Sequence, residues 1–397
     1  MGTFIQVVND RTVMVGSNKL WVEDAAIEQL KTTAKLPGMH AVAGLPDLHP
    51  GRGYPVGAAF FTSGRLYPAL VGGDIGCGVS VWQTDMAAAK VKLDKLDKQI
   101  GNLDGHVDSD EWRALYERDA TLQARCADLA LQLQALCPGS GAMASLGTIG
   151  AGNHFVELQR VDTVDTHSLF DAAGMNRKCL QLLVHSGSRG LGQDILRGHV
   201  DGFGHGGLVA GSDAATHYLA RHDLACRYAA LNRDVIAARL LTRVRARAVK
   251  VLDVHHNTVL PALVDGLDGW LHRKGANPGD QGLVMLPGSR DDYSYLIAPK
   301  RANMPLSLQS LPHGAGRKWQ RSDCKARLFK HASAEQLGRN SFGGRVICAD
   351  KALIYEEAPQ AYKNVDSVLD CLLGADLVDV VSRATPVLTY KTRGECC

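Results

Sequence analysis

The sequence predicts a mixed α and β (α+β) protein, and three observations support this class. Short apolar runs typical of buried strands are directly followed by glycine-rich loops. Two long stretches, at 111–137 and 214–248, carry apolar residues at helical spacing. No fixed repeat and no turn-rich linker with a change of composition divides the chain. We therefore expect one domain over residues 1–397, with helical excursions near 111–137 and 214–248.

The predicted strands lead into the glycine-rich loops. The 42 glycines are concentrated in blocks at 44–57, 72–80, 147–155, 185–192, 286–295 and 311–317. Strands are predicted in "RLYPALV", "LQLLV" and "QGLVM", each of which precedes one block. Enzymes commonly place catalytic and binding groups on loops that follow rigid strands, so we expect the functional residues in these blocks.

The second predicted helical stretch is too long for one simple surface helix. Near its end lies a group of basic residues: Arg239, Arg243, Arg245, Arg247 and Lys250. We expect them to form a solvated helix face, with contact to a polyanion as the alternative.

Composition favours an ordinary globular protein and gives no bulk attraction to nucleic acid. Lys and Arg number 44 against 41 acidic residues, a formal net charge of +3. The ten cysteines are scattered singly until the adjacent Cys396 and Cys397, so most are expected to be reduced core residues. The chain has no apolar run of about 18 residues and no signal-like N-terminus. We expect a cytoplasmic protein without a membrane partner.

Nucleotide-binding motifs of the common kinds are absent. The sequence contains no Gly-Lys dipeptide, which excludes a P-loop, and no H-E-x-x-H zinc motif. A bound nucleotide would have to be held in another way.

Residues of metal-ligand type recur in or beside the glycine blocks. They are Asp74, Cys77, His154, His185 and His256. Each could be an ordinary buried or turn residue alone, but their repetition at strand–loop junctions favours a metal site. A cation would deprotonate the Cys77 thiol, and one thiolate could bridge two ions. Thiolate and imidazole favour zinc first, with manganese as a second choice.

Groups suited to phosphate oxygens form a second set. They are Ser186, Ser188, Arg189, Ser289, Ser294, Arg317 and Lys391, with glycine N–H groups nearby. Metal ions with such groups are typical of phosphoryl or nucleotidyl transfer. His313, in the loop "LPHGAGR", would then be a natural covalent nucleophile toward phosphorus.

At these residues the sequence resembles the RtcB family of RNA ligases. The motifs, in family order, are "GGDIGCG", "GNHFVE", "HSGSRGLG", the "HN" of "VHHN", "RKGA", "LPGS", "HGAGR" and "EAPQAYKNVD". The resemblance spans residues 44–391 and implies an RtcB-like fold, with central β-sheets flanked by helices around a dinuclear metal site.

The resemblance also implies an activity. Family members join RNA ends bearing a 2′,3′-cyclic phosphate or 3′-phosphate to 5′-hydroxyl ends, in RNA repair or tRNA splicing. They use GTP and two manganese ions (Mn²⁺). A histidine attacks the α-phosphate of GTP, GMP passes to the RNA 3′-phosphate, and the 5′-hydroxyl then displaces GMP.

Site residues follow from the same resemblance, position by position. His313 would be the nucleophile. Asp74, Cys77 and His256 would hold one manganese ion, and Cys77, His154 and His185 the other. The guanosine and its phosphate would be surrounded by Asn153, Phe155, Glu157, Ser289, Ser294, Gly314, Arg317, Tyr362 and Lys391. Arg189 would contact RNA phosphate, and His255 would be a bystander.

Four features depart from the usual family pattern. Pro312 stands where relatives often have cysteine, and "KWQRSD" follows the His313 loop. The early block "GLPDLHPGRGYPVG" differs from the aromatic-rich version of many relatives, and "LPGSRDDYSY" has charged residues where small ones are usual. The changes leave the proposed ligands intact and suggest a divergent branch. They leave open the RNA substrate, the need for an activator protein and the oligomeric state, for which a monomer is favoured.

Two other functions remain alternatives. One is a dinuclear metal phosphatase or cyclic phosphodiesterase, which would process RNA ends without needing His313. The other is an inactive protein that binds RNA ends, which would not accept GMP from GTP.

Overall fold

Strands and helices alternate along the residues that the computed structural model describes, 4–394, and this confirms the mixed α and β class. The strands are β1 (Ile5–Asn9), β2 (Thr12–Val15), β3 (Met39–His49), β4 (Val56–Thr62), β5 (Arg65–Leu66), β6 (Gly78–Ala87), β7 (Phe155–Val164), β8 (Cys179–Ser186), β9 (Leu208–Val209), β10 (Ala248–His255), β11 (Asn257–Val264), β12 (Leu267–Lys274), β13 (Ala276–Pro278), β14 (Val284–Pro287), β15 (Ser294–Pro299), β16 (Ser310–Pro312), β17 (Arg345–Cys348) and β18 (Val378–Thr392). The α-helices are α1 (Asp24–Thr33), α2 (Pro68–Val71), α3 (Leu93–Ile100), α4 (Ser109–Arg118), α5 (Ala120–Leu136), α6 (His167–Ala172), α7 (Gly190–Phe203), α8 (Asp213–Val244), α9 (Arg321–Leu328), α10 (Ala334–Leu337), α11 (Leu353–Glu356) and α12 (Val365–Gly374). Short 3₁₀-helices cover Ala88–Lys90, Ala142–Ser145, Met304–Ser307 and Pro359–Ala361.

Two large sheets carry most of the strands. The first has the order β1-β2-β3-β4-β12-β11, and the second the order β10-β6-β8-β7-β18-β15-β14, with β17 paired to β18. Most neighbours are antiparallel, but β2 pairs with β3 and β17 with β18 in parallel. The short pair β13 and β16 ends at Pro312 and therefore places the His313 loop between strands of both sheets.

Helix α8 is the long predicted helical stretch, and it is one helix of 32 residues. It packs against α5 and against β8 of the second sheet. Apolar residues from several of its turns, including Tyr228, Val235, Ile236 and Leu240, are fully buried. Its length is compatible with a globular protein because the helix lies in the interior instead of on the surface.

Two of the five basic residues near the end of α8 do not belong to a solvated face, so that prediction is wrong for Arg239 and Arg243. The Arg239 side chain is 2% exposed and donates to Glu111 and to the Gly147 carbonyl. Arg243 also pairs with Glu111, at 2.8 Å. Arg245, Arg247 and Lys250 are exposed as expected. Burying a guanidinium is costly unless its donors are paired, and the partners Glu111 and Gly147 lie far from α8 in sequence.

One strand prediction needs correction, and one predicted helical stretch is divided in two. "RLYPALV" forms a strand only at Arg65–Leu66, because Pro68 occupies the first turn of α2, where its missing N–H costs nothing. The stretch 111–137 contains two helices, since the Asp119 carboxylate accepts the Thr121 N–H and starts α5 anew. The strand predicted in "LQLLV" is confirmed as β8, whereas the one predicted in "QGLVM" begins only at Val284 as β14.

The cysteines within residues 4–394 are all free, and five of these eight are buried, as expected. Cys396 and Cys397 lie outside the described residues. Among the helices of that described part, none combines the length and the apolar composition needed to cross a bilayer.

Candidate active site and metal centre

A cleft of about 660 Å³ collects most of the predicted site residues. Its wall is formed by the loop between β3 and β4, the start of β7, the end of β14 and the His313 loop. The predicted residues on the wall are Asn153, Phe155, Glu157, His185, Ser289, His313, Gly314, Arg317, Tyr362 and Lys391. The volume is in the range of pockets that take small organic ligands such as nucleotides.

The metal-ligand residues form one buried cluster. The Cys77 Sγ atom lies 3.4 Å from His154 Nε2 and 3.3 Å from His185 Nε2. His154 Nε2 is 2.8 Å from Asp74 Oδ2, and His185 Nε2 is 3.4 Å from His256 Nε2. Two groups of three ligand atoms result, Asp74 with Cys77 and His154, and Cys77 with His185 and His256. Both contain the Cys77 sulfur.

Strand register explains why these residues meet. His185 on β8 is paired with Phe155, the neighbour of His154, on β7, and with Val79 on β6. Cys77 directly precedes β6, and its carbonyl accepts the His256 N–H at 2.8 Å. The ligands therefore lie at one edge of the second sheet, where four adjacent strands begin or end.

The structure groups the ligands differently from the expectation. We expected Asp74 and His256 to share one ion and His154 and His185 the other. Instead Asp74 joins His154, because the carboxylate accepts from that ring, and His256 joins His185. Cys77 remains the shared ligand.

The electrostatics of the cluster suit a cation. Burial, with the nearby His154 and His313 rings, lowers the pKa of both His185 and His256 well below the usual value, so both rings are neutral and can bind metal. Burial and the Asp74 carboxylate raise the pKa of Cys77 well above its usual value. A bound cation reverses this effect and makes the thiolate. Neutral imidazoles, one thiol and one carboxylate fit two divalent ions that share the sulfur.

The Asp47 carboxylate holds His313 in place. Asp47 was not identified as a site residue from the sequence. The Asp47 Oδ2 atom accepts both the backbone N–H of His313, at 3.0 Å, and its ring Nδ1, at 2.6 Å. The Asp47 side chain is fully buried, whereas the His313 side chain is 13% exposed. Because Nδ1 is occupied, Nε2 is the ring nitrogen left for chemistry. The His313 ring centroid lies 4.9 Å from that of His256, so the histidine is beside the metal cluster.

Backbone contacts fix the loop that carries His313. Pro312 pairs with Ala276, and its carbonyl accepts Asn277 Nδ2 at 2.9 Å. Gly316 has a φ of +73°, and a Cβ there would lie 2.2 Å from the Asp47 carbonyl oxygen. Only glycine tolerates this close approach, which brings the His313 loop against Asp47.

Glu357 is the centre of an ion network on the cleft wall. It too was not identified as a site residue from the sequence. It pairs with Arg317, Arg321 and Lys391 and accepts the Tyr362 hydroxyl at 2.6 Å. Burial alone would raise its pKa, but the three cations lower the pKa of Glu357 to about 2. The carboxylate is therefore charged, and it orients three residues that were predicted from the sequence to bind the nucleotide: Arg317, Tyr362 and Lys391.

Glu157 lies on the same cleft wall, and Ser294 is connected to it through Gln159. Glu157 accepts Gln159 Nε2 at 2.7 Å and Thr389 Oγ1 at 2.5 Å. Ser294 is 2% exposed and accepts Gln159 Nε2 at 2.8 Å. Ser294 is not among the described residues that line the cleft. Ser294 is linked to Glu157 through Gln159, and its contact with guanosine stays a prediction.

Arg189 lies beside the metal cluster and not on the described wall of the cleft. Its Nε donates to Thr148 Oγ1 at 3.2 Å. Burial of Asp74 acts to raise the pKa of that carboxyl, but the charge of Arg189 is among the influences that lower it. It has a positive φ of 58° at the start of α7. His255 hydrogen-bonds through Nδ1 to the Gly76 carbonyl at 2.8 Å and belongs to neither ligand group.

Comparison with known proteins gives the family. A sequence model of the family described as "tRNA-splicing ligase RtcB" matches residues 29–392. "RNA-splicing ligase RtcB2" of Escherichia coli is 50% identical, over 99% of this chain and 99% of the relative. "RNA-splicing ligase RtcB" of Escherichia coli strain K12 is 28% identical, over 94% and 97% of the two chains. "tRNA-splicing ligase RtcB" of Archaeoglobus fulgidus is 27% identical, over 93% and 92%. The chain belongs to the RtcB family of RNA ligases.

Proposed function

We propose that this chain joins RNA ends bearing a 2′,3′-cyclic phosphate or 3′-phosphate to RNA ends bearing a 5′-hydroxyl, with GTP and two manganese ions. The observation that carries the proposal is the arrangement of His313. Its Nδ1 is held by Asp47, and its ring lies next to a cluster in which Cys77 is shared by two ligand groups. The names of the similar proteins, which describe RNA-splicing and tRNA-splicing ligases, support the substrate class.

The chemistry of the first step follows from this arrangement. His313 Nε2 attacks the α-phosphorus of GTP, the N–P bond forms, and the bond to pyrophosphate breaks. Positive charge develops on the ring, and the buried Asp47 carboxylate stabilises it through Nδ1–H. When bound, manganese ions held by the two ligand groups neutralise charge on the phosphate oxygens.

A 2′,3′-cyclic phosphate is first opened by water to a 3′-phosphate. An oxygen of the RNA 3′-phosphate then attacks the phosphorus of the bound GMP, and the N–P bond to His313 breaks. The 5′-hydroxyl oxygen loses its proton, attacks the activated RNA phosphorus and releases GMP.

The cleft wall supplies the groups proposed to hold guanosine. Phe155 offers a ring for stacking, and Glu157 offers carboxylate oxygens to the N–H donors of guanine. Asn153, Ser289, Gly314 and Tyr362 are proposed to contact the ribose and phosphate. Arg189, outside the cleft wall, is proposed to contact RNA phosphate near the metal cluster. The free cysteines favour a reducing compartment, the cytoplasm, as the location.

A ligation assay with defined RNA ends tests the proposal. One RNA carries a 2′,3′-cyclic phosphate, a 3′-phosphate or a 3′-hydroxyl, and its partner carries a 5′-hydroxyl or a 5′-phosphate. We expect joining only for the first two 3′ ends with a 5′-hydroxyl, and only with both GTP and manganese. Opening of the cyclic phosphate or release of phosphate without joining would favour the phosphatase alternative.

Loss of Asp47 should slow the first step and spare the metals. The change Asp47→Ala removes the acceptor of His313 Nδ1, so we expect transfer of GMP to the protein to slow by about 10- to 100-fold. Manganese content should stay at the wild-type level, because Asp47 belongs to neither ligand group. Single-turnover labelling with α-labelled GTP gives the rate. An unchanged rate would show that Asp47 does not position the nucleophile.

A further inference from the structure

His49 is a second histidine in the cleft, beside the proposed nucleophile. It is the last residue of β3, it is half-buried, and it lines the cleft. The centres of the His49 and His313 rings lie 6.4 Å apart, and the angle between the two ring planes is only 27°. His49 belongs to neither ligand group of the metal cluster, so it is available for another role.

One hydrogen bond fixes which nitrogen of the neutral His49 ring carries the proton. Its Nδ1 lies 2.8 Å from the backbone carbonyl oxygen of Asp47, and a carbonyl oxygen can only accept. Nδ1 therefore donates, and Nε2 holds a lone pair. Among residues 4–394 this Nε2 atom has no hydrogen-bond partner, and it keeps access to solvent. The cleft thus contains a free acceptor next to His313.

Asp47 holds the two histidine rings in the same way. Its carboxylate accepts from His313 Nδ1 at 2.6 Å, and its carbonyl accepts from His49 Nδ1. In each ring Nε2 lies on the far side from Nδ1, so both Nε2 atoms point away from Asp47. A phosphate bonded to His313 Nε2 would therefore lie close to the lone pair of His49.

His49 also lies on the part of the cleft that remains for RNA. The groups proposed to hold the base, Phe155 and Glu157, are on β7 of the second sheet. His49 and Arg52 instead belong to β3 and the loop after it, in the first sheet. Arg52 is exposed, lines the cleft and offers a positive charge to an RNA phosphate. A hydroxyl group that reaches His49 is therefore expected to belong to RNA.

The surroundings of His49 keep its ring neutral and ready to take up a proton. Burial is the main cause that lowers the pKa of His49 to about 4, and the His313 ring and Lys363 act in the same direction. The carbonyl and the carboxylate of Asp47 act to raise the pKa but do not compensate. Bound phosphates are anions and favour the protonated ring, so the ligands themselves make His49 a better proton acceptor.

We infer that His49 Nε2 is the general base of the joining step, and the inference rests on the proposed function. The attack of His313 on GTP and the attack of the RNA 3′-phosphate need no base, but a 5′-hydroxyl must lose its proton. That proton moves to His49 Nε2 as the 5′-oxygen forms its bond to the activated RNA phosphorus. The bond from this phosphorus to GMP breaks, and GMP leaves with the electron pair. His49 then releases the proton to water and returns to its neutral form.

The joining step can be measured alone with RNA that already carries GMP on its 3′-phosphate. This activated RNA, prepared chemically, is mixed with the protein, manganese and saturating 5′-hydroxyl RNA, without GTP. One variant is His49→Asn, whose side-chain N–H can still donate to the Asp47 carbonyl. The other is His49→Gln, whose amide can accept a hydrogen bond near the position of Nε2 but is not a base. The control is His40→Asn, which changes an exposed histidine on the same strand.

We expect both His49 variants to join the activated RNA about 100-fold more slowly than the wild type, and His40→Asn to join it at the wild-type rate. Labelling of His49→Asn by GTP, and transfer of the label to an RNA 3′-phosphate, should keep close to wild-type rates, because neither step needs a base. These two earlier steps also show that the variant is folded. If His49→Asn is not labelled, His49→Gln decides by the same comparison.

Three results overturn the inference. The first is joining at the wild-type rate by His49→Asn, even if that variant fails to open a 2′,3′-cyclic phosphate, since His49 would then act on water. The second is joining at the wild-type rate by His49→Gln, which would make His49 a hydrogen-bond acceptor only. The third is loss of labelling by GTP in both variants, which would mean that His49 orients Asp47 and His313. Each result leaves the proposed function intact if the wild type joins the activated RNA, and that function fails if it does not.

Discussion

Transfer of GMP from GTP to the protein is expected to disappear when His313 is replaced by alanine. Asp47 occupies Nδ1 of His313 and leaves Nε2 free, and the His313 ring lies 4.9 Å from the ring of His256, one of the metal-ligand residues. Without this nucleophile no N–P bond can form, so we expect a fall of at least about 10⁴-fold. Incubation with α-labelled GTP and manganese, followed by separation under denaturing conditions at alkaline pH, measures the labelled protein.

The control for this variant is His331→Ala, which removes an exposed histidine outside the cleft wall. It should be labelled like the wild type. His313→Ala should also keep its manganese, since His313 is in neither ligand group. Equal labelling of His313→Ala and wild type would contradict the assignment of the nucleophile. Retained processing of RNA ends by an unlabelled His313→Ala variant would favour a phosphatase.

Replacement of Cys77 by alanine is expected to remove both metal ions together. Its sulfur is the one atom common to the two ligand groups, at 3.4 Å from His154 and 3.3 Å from His185. Each group is left with two protein ligands, and the charge of the thiolate is lost. We expect affinity for manganese to fall by at least about 100-fold and labelling by GTP to become undetectable. Equilibrium dialysis followed by elemental analysis gives the metal content.

The matched control for Cys77 is Cys126→Ala, which truncates another buried thiol, on α5 and away from the cluster. It should keep two manganese ions at the wild-type affinity. Two tightly bound ions in Cys77→Ala would rule out the shared sulfur. Loss of a single ion would mean that Cys77 belongs to only one group. The same dialysis with zinc compares the two metals that the ligand types allow.

The site residues that could be predicted from the sequence lie in recognisable local motifs. Cys77, His154 and His313 each stand in a short glycine-rich motif, where a reactive side chain has a strand or turn to hold it. We could expect these motifs to lie in one cleft, because they stand at strand–loop junctions of one sheet. The way in which the ligands divide between two groups could not be predicted from the sequence, because it depends on the register of β6, β7 and β8.

The site residues that could not be predicted from the sequence contact partners that lie far away along the chain. Asp47 and His313 are 266 positions apart, and Glu357 meets Lys391 only because the chain returns along β18. Nothing around either acid indicates its partner. Arg239 was assigned to a surface for the same reason, since its partner Glu111 lies on α4. Burial of such groups is decided by tertiary pairing, which spacing along the chain does not encode.

The most direct test of the account is a chase of the labelled protein into RNA. Protein labelled with GMP is freed of GTP and mixed with one RNA bearing a 3′-phosphate and another bearing a 5′-hydroxyl, in the presence of manganese. We predict that the label leaves His313, that joined RNA forms in an amount equal to the labelled protein, and that free GMP appears. Label that stays on the protein while RNA is joined, or label that leaves by hydrolysis without joining, would contradict it.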